Sequence, residues 1–181
     1  MAKRKIIVHL ATSADGFIAR PDGEIEWLTE RPAPKGFYGL NAFVKSIDTK
    51  LLGRKTYEMS LRMGAKFDSK SRTIVFSRHA PPAGAPPTVE FASGAIGPFV
   101  RNLREQPGKD IWLMGGGEII ASFLDEHAID EFIISVAPVF IGDGIPLIAR
   151  RHRHVPLELH STECFEDGLV QLHYRIQNHS W

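Results

Sequence analysis

The sequence predicts an α/β protein built on one mixed, mostly parallel sheet that finishes in an antiparallel hairpin. Three features carry that reading. The runs "KIIVHLA", "TKLLG", "RTIVFS" and "DIWLMG" are apolar or β-branched through successive positions, the pattern of strands covered on both faces and hence of parallel sheets. Between them lie segments whose apolar residues recur at helical spacing. The last stretch, "LELHSTECFEDGLVQLHYRI", alternates on either side of Asp167-Gly168, which signals a hairpin.

Taken in order, the first strand, "KIIVHLA", feeds a long loop, "SADGFIARPDGE", with two Asp-Gly pairs as punctuation. In "GFYGLNAFVKSI", Phe37, Leu40, Phe43, Val44 and Ile47 fall at helical spacings and predict a helix over 36–47. "TKLLG" is a second buried strand and "KTYEMSLRM" a short helix. "RTIVFS" is the next strand, followed by a Pro/Gly loop at 80–87 and a short strand at "TVEF". A helix around Phe99, Val100 and Leu103 leads to the strand "DIWLMG", the helix "EIIASFL" and the strand "DEFIISVAPVF". The alternation of strand and helix is that of an open sheet with crossover helices.

A length of 181 residues reads as a single domain, 1–181, with one core. Hydrophobic residues at 43%, charged residues at 24% and a net charge of +1 are those of a soluble protein with no nucleic-acid or membrane surface, so a small-molecule partner is expected. Cys164 is the only cysteine, which excludes an internal disulfide or a cysteine-rich zinc site and favours the cytoplasm. The opening "MAKRKIIVHLATSADG" turns polar too soon for a signal-peptide core.

Two strands end on glycine in a way that suggests a ligand. Gly115, Gly116 and Gly117 separate "IWLM" from an apolar helix, where missing side chains let a ligand reach the helix's free N–H groups, the arrangement of a diphosphate seat. A tight strand-to-helix turn is the alternative. Gly53 ends "TKLLG" and is followed by Arg54, Lys55 and Thr56: a helix start with free N–H groups, a guanidinium fork for phosphate and a hydroxyl donor. Its alternative is a capped, solvated helix start. Both breaks lie at strand C-termini, where open α/β sheets bind ligands, so one ligand with several phosphates can span them.

"GRKTYE", "IWLMGGGEIIASFL", "HLATSADGFIA" and "DEFIISVAPVFIGDGIPLI" together resemble the dihydrofolate reductase fold, in its riboflavin-biosynthesis reductase branch, over nearly the whole chain. "IDE" followed by strand, Ala-Pro and the loop at Gly142 and Gly144 is the more specific part. The resemblance implies a three-layer fold with helices on both faces of an eight- or nine-stranded sheet, NADPH as hydride donor, and a homodimer. By position it implies that Gly53, Arg54, Lys55 and Thr56 hold the phosphates and the adenosine end, and that Ser77 and Arg78 face the 2′-phosphate. Gly115, Gly116 and Gly117 with Glu118 take the diphosphate, and Ala11 and Ile18 flank the nicotinamide. It also implies a cis Gly115–Gly116 peptide.

The acceptor side departs from both relatives. Folate reductases carry a carboxylate on the first helix, yet "GFYGLNAFVKS" has no Asp or Glu, and one cysteine does not fit the zinc deaminase that often accompanies the riboflavin enzymes. Nor does "MSLRMGAKFDSKS" match the riboflavin branch's Asn-Pro stretch with basic residues. Asp15 is the candidate proton donor, with a turn role beside Gly16 as its alternative, and Trp27 and Tyr38 are candidates to stack on a planar substrate. His9 reads as a satisfied core histidine, Cys164 as buried and inert, and "ARRHRH" at 149–154 as a solvated basic loop rather than a metal site. The expected activity is NADPH-dependent reduction of a heterocycle or ribosylaminopyrimidine, like that of a 5-amino-6-(5-phosphoribosylamino)uracil reductase, with no metal. Two alternatives remain: a non-catalytic NADP(H)-binding protein, and a dihydrofolate reductase with a displaced acid.

Overall fold

The computed structural model describes residues 3–177. Strand β1 (Ile6–Ser13) runs through the middle of the sheet, and its apolar residues serve two opposite layers. Ile6 and Val8 join one core, while Ile7 joins another on the far side. The remaining elements are β2 (Phe17–Ala19), α1 (Glu26–Thr29), α2 (Leu40–Ser46), β3 (Ile47–Gly53), α3 (Arg54–Arg62), β4 (Arg72–Phe76) and β5 (Val89–Ala92). They continue with α4 (Ile96–Glu105), β6 (Asp110–Gly115), α5 (Gly117–Asp125), β7 (Glu131–Ala137), β8 (Ile145–Pro146), β9 (Leu157–Cys164) and β10 (Val170–Ile176).

Eight strands form the main sheet in the order β5-β4-β3-β6-β1-β7-β10-β9. Every pairing from β5 to β7 is parallel, and the β9–β10 hairpin adds antiparallel pairs at one edge. The larger core joins Val100 and Leu103 of α4 and Ile120 and Phe123 of α5 to Leu51, Ile74, Ile111 and Leu113 of the strands. The other face packs Tyr57 of α3 on Leu52 and Val75, and Phe43 of α2 on Ile7 and Ile47. Helices therefore cover both faces, giving three layers. Period-two alternation explains the division, since neighbouring residues such as Leu51 and Leu52 face opposite layers.

Four expectations need correction. The helix predicted over 36–47 begins only at Leu40: Gly36, Phe37, Tyr38 and Gly39 have φ of 92°, 52°, 54° and 78°, a single left-handed turn. The strand at 130–140 stops at Ala137, before Pro138. The long loop after β1 holds β2, which pairs with β8 across a bulge, and two such short strands leave too little periodicity to read. Cys164 is exposed, because all eight residues of the edge strand β9 are exposed.

Candidate active site

The two glycine breaks meet on neighbouring strands. A Cβ on Gly53 would lie 3.5 Å from Ile119 Cγ2 and 3.7 Å from the Gly115 carbonyl oxygen. Gly115 has φ 108°, a left-handed value suited to glycine, and the Gly115–Gly116 peptide is cis. On Gly116, the residue capping α5, a Cβ would meet Thr56 Oγ1 at 3.3 Å and Ile18 Cδ1 at 3.8 Å. Residues from two distant stretches thus converge on one glycine. Neither nine-residue helix, α3 or α5, has a side-chain cap, so both leave first-turn N–H groups available to an anion.

Gly117 has a different reason to be glycine. A Cβ there would stand 2.5 Å from the Pro146 carbonyl oxygen and 3.3 Å from Ala149 N, and the Gly117 carbonyl accepts a hydrogen bond from Ala149 N at 3.1 Å. The third glycine seats the 146–149 segment against α5, so its missing Cβ is explained by packing, and the space left open by missing side chains is that at Gly115 and Gly116. Glu118 is exposed and accepts from Arg151 Nη2 at 3.3 Å. Its charge favours the helix N-terminus but would repel a phosphate there.

The cationic end is assembled in part. Arg54 donates from Nη1 to Ser77 Oγ at 3.4 Å and to the Ala80 carbonyl at 2.8 Å, and from Nε to Glu58 at 2.7 Å. Arg54 and Ser77 therefore stand together, with exposed Lys55 and Arg78 nearby in sequence. In the basic segment Arg151 and Arg153 both pair with Asp125, which ties it to α5. Among the described residues no group of three or more His, Cys, Asp or Glu side chains is placed to hold a metal ion.

At the level of Ala11 the sheet carries a polar line. Ala11 is in register with Ser135, and Ser135 with Gln171. Gln171 Nε2 donates to Ser135 Oγ at 3.0 Å and to the Tyr38 carbonyl at 3.1 Å. The Tyr38 hydroxyl donates to Asp167 Oδ2 at 2.6 Å, and Arg31 Nη2 donates to the same oxygen at 2.9 Å. Burial raises the Tyr38 hydroxyl above its ordinary value, and the Asp167 bond adds to that. Asp167 is held below the usual carboxylate range by the Tyr38 hydroxyl and by Arg31. These bonds fix the left-handed turn over β7 and β10, offsetting roughly 1–2 kcal/mol for each non-glycine residue in it.

Asp15 occupies the loop after β1, where its carboxylate accepts from Gly142 N at 2.7 Å and Ile141 N at 3.1 Å. The Ser13 hydroxyl and these amides lower its pKa, so at neutral pH it is ionised and has no proton to give. The turn role is the one its bonds display. Trp27 is buried at 8% exposure with its indole N–H unpartnered, so its ring is not presented for stacking in this state.

His9 is not satisfied. It is 7% exposed, and its Nδ1 is buried with no hydrogen-bond partner. Nothing in the sequence pattern signals this, nor the roles of Arg31, Ser135, Asp167 and Gln171. Asp167 reads only as a turn residue beside Gly168, and the other three are single polar residues whose partners lie over thirty positions away.

The description "RibD C-terminal domain" matches residues 4–171. The chain belongs to the RibD C-terminal domain family. Two uncharacterized proteins of Bacillus subtilis are similar along their whole length: YwjB is 37% identical, covering 95% of this chain and 98% of its own, and YyaP is 32% identical, covering 96% of each. Among solved structures, a protein assigned to riboflavin biosynthesis from Shewanella sp. PV-4 superposes with a TM-score of 0.86 at 28% identity, covering 96% of this chain and 99% of that one. A diaminohydroxyphosphoribosylaminopyrimidine deaminase/5-amino-6-(5-phosphoribosylamino)uracil reductase from Thermotoga maritima gives 0.72 at 20% identity, with 97% of this chain on 57% of that one. Dihydrofolate reductase from Enterococcus faecalis, complexed with NADP(H), gives 0.67 at 20% identity, covering 96% and 97%. The fold of this RibD C-terminal domain is thus dihydrofolate reductase-like, and its family supports a reductase-type activity.

Proposed function

We propose that this RibD C-terminal domain is an NADPH-dependent reductase acting on a planar nitrogen heterocycle of the ribosylaminopyrimidine type. The observation that carries the reading is the meeting of Gly116 with Thr56 and Ile18, beside the approach of Gly53 to Gly115, between two uncapped helix N-termini, a cradle that a Cβ on Gly116 would narrow. When bound, NADPH supplies the hydride. The N–H groups of α3 and α5 with Thr56 bind the diphosphate, and Arg54, Ser77 and Arg78 bind the 2′-phosphate. Lys55 adds charge along the rim. Ala11 and Ile18 orient the nicotinamide, and Tyr38 fixes the wall against which the acceptor ring lies. Asp15, as an ionised carboxylate, orders water at the mouth, and the proton that completes reduction comes from that water.

The proposal extends to a cytoplasmic homodimer with no nucleic-acid or membrane partner; the exposed edge strand β9 offers a surface for a second copy. The test is to mix protein and NADPH, add dihydrofolate or ribitylaminopyrimidines in separate runs, and follow cofactor absorbance. Oxidation with a pyrimidine supports the reading. NADPH binding without oxidation by any of them would favour a non-catalytic NADP(H)-binding protein, and rapid oxidation by dihydrofolate would favour a folate reductase.

A further inference from the structure

His9 lies on the central strand two residues before Ala11, and alternation along β1 puts both on the face covered by α2. Its surroundings are apolar and aromatic. The Phe43 ring meets the imidazole edge to face with centroids 4.6 Å apart, Phe43 in turn meets Trp112 at 5.5 Å, and Trp112 Nε1 donates to the His9 carbonyl at 2.9 Å. Ile133 is the residue in register on β7. Within this collar Nδ1 is left without a partner, although a buried polar group is ordinarily satisfied. One placed polar group in an aromatic wall is how small-molecule pockets fix the orientation of a flat ligand. Two strand residues span roughly 7 Å, about the width of a heterocycle.

We propose that His9 is the positioning residue of the acceptor pocket, its imidazole hydrogen-bonding the N–H/C=O edge of a planar pyrimidine whose opposite edge reaches the level of Ala11. This rests on the reductase reading for the role of Ala11. Nδ1 has no solvent contact, so occupancy moves the Phe43 ring, which stands over the imidazole on the short helix α2. Burial, and then the nearby charge of His173, push the imidazole pKa down to about 4. At neutral pH the ring is therefore uncharged, with one donor and one acceptor to offer, which matches an edge of mixed donors and acceptors.

The probe is 5,6-diaminouracil, titrated calorimetrically into the wild type, His9→Leu and His9→Asn, with and without saturating NADP⁺. The expected result is binding by the wild type, at least about tenfold weaker binding by His9→Leu, and partial recovery by His9→Asn, whose amide replaces the Nδ1 edge. NADPH affinity stays equal in all three, and His9→Leu melts no lower than wild type because it loses an unpartnered polar atom. In the wild type the His9 ring ¹⁵N signal shifts on adding the probe. Equal binding by wild type and His9→Leu, an unmoved ¹⁵N signal, or no binding by wild type would overturn the assignment. Diaminouracil bound through His9 by a chain that does not bind NADPH would overturn the reductase reading and leave the His9 assignment standing.

Discussion

The proposed cofactor side and the proposed acceptor side of this molecule are built from different materials. At the first, main-chain features dominate: two strands ending on Gly53 and Gly115, a cis Gly115–Gly116 peptide, and two helices that begin without side-chain caps. At the second, side chains dominate: Tyr38, Arg31 and Asp167 at the left-handed turn, Gln171 and Ser135 across the sheet, and His9 with its Nδ1 unpartnered. A phosphate can be met by backbone N–H groups of any sequence that leaves them free. A particular heterocycle needs particular side chains, so this is the half free to differ among proteins that share the fold.

The largest effect separates two adjacent glycines on the cofactor side. Gly117→Ala forces a Cβ to within 2.5 Å of the Pro146 carbonyl, so it should destabilise the fold by about 1–3 kcal/mol, read from the chemical denaturation midpoint. Unchanged stability would show that the 146–149 segment does not seat there. The acceptor side is sharpened by dihydrofolate: α2 offers no carboxylate, and loss of that charged hydrogen bond, roughly 1.5–3 kcal/mol, predicts turnover far below about 10 per second. Turnover at that rate would mean that another acid has taken the place.

Next comes cofactor choice. Arg54 and Ser77 stand together, but Arg54 also spends its Nε on Glu58, so the expected preference for NADPH over NADH is modest, at least about tenfold, and should collapse in Arg54→Ala. Titrations with both cofactors check it, and an equal preference in the variant would leave the "GRKT" stretch as a plain helix start. The smallest effect concerns Asp167. Its folded pKa lies below the ordinary 3.8, chiefly through the Tyr38 hydroxyl, so its stabilisation is complete above that value and lost as pH falls through the folded pKa. Tyr38→Phe should melt below wild type at neutral pH, and the gap should narrow below about pH 4. A gap independent of pH would remove Asp167 from the account.

The same contrast explains what could be read in the sequence. Doubly apolar runs disclosed the parallel strands because burial on two faces favours apolar residues at successive positions, and the glycines disclosed the breaks because so few residues suit them. The left-handed turn escaped detection, since Phe37 and Leu40 fit a helical spacing and only distant partners, Gln171 and Asp167, hold the chain otherwise. The satisfied-histidine reading of His9 failed for a related reason: a strand pattern shows that a residue is buried, not whether its nitrogens find partners. The packing duty of Gly117 was not legible because its neighbour, the 146–149 segment, lies about thirty residues on and its approach is purely backbone.

The central claim is that Gly116, between Thr56 and Ile18, forms the floor of an NADPH seat, and titrating NADPH into wild type and Gly116→Ala by cofactor fluorescence tests it most directly. At φ −80° the backbone accepts alanine, and the added Cβ, 3.3 Å from Thr56 Oγ1, asks only a small shift of that side chain, so the variant should fold, which its melting curve checks. The account predicts that wild type binds NADPH and that the variant binds it about tenfold or more weakly, near 1.4 kcal/mol. Wild type that does not bind NADPH, or a variant that binds it equally well, would contradict it.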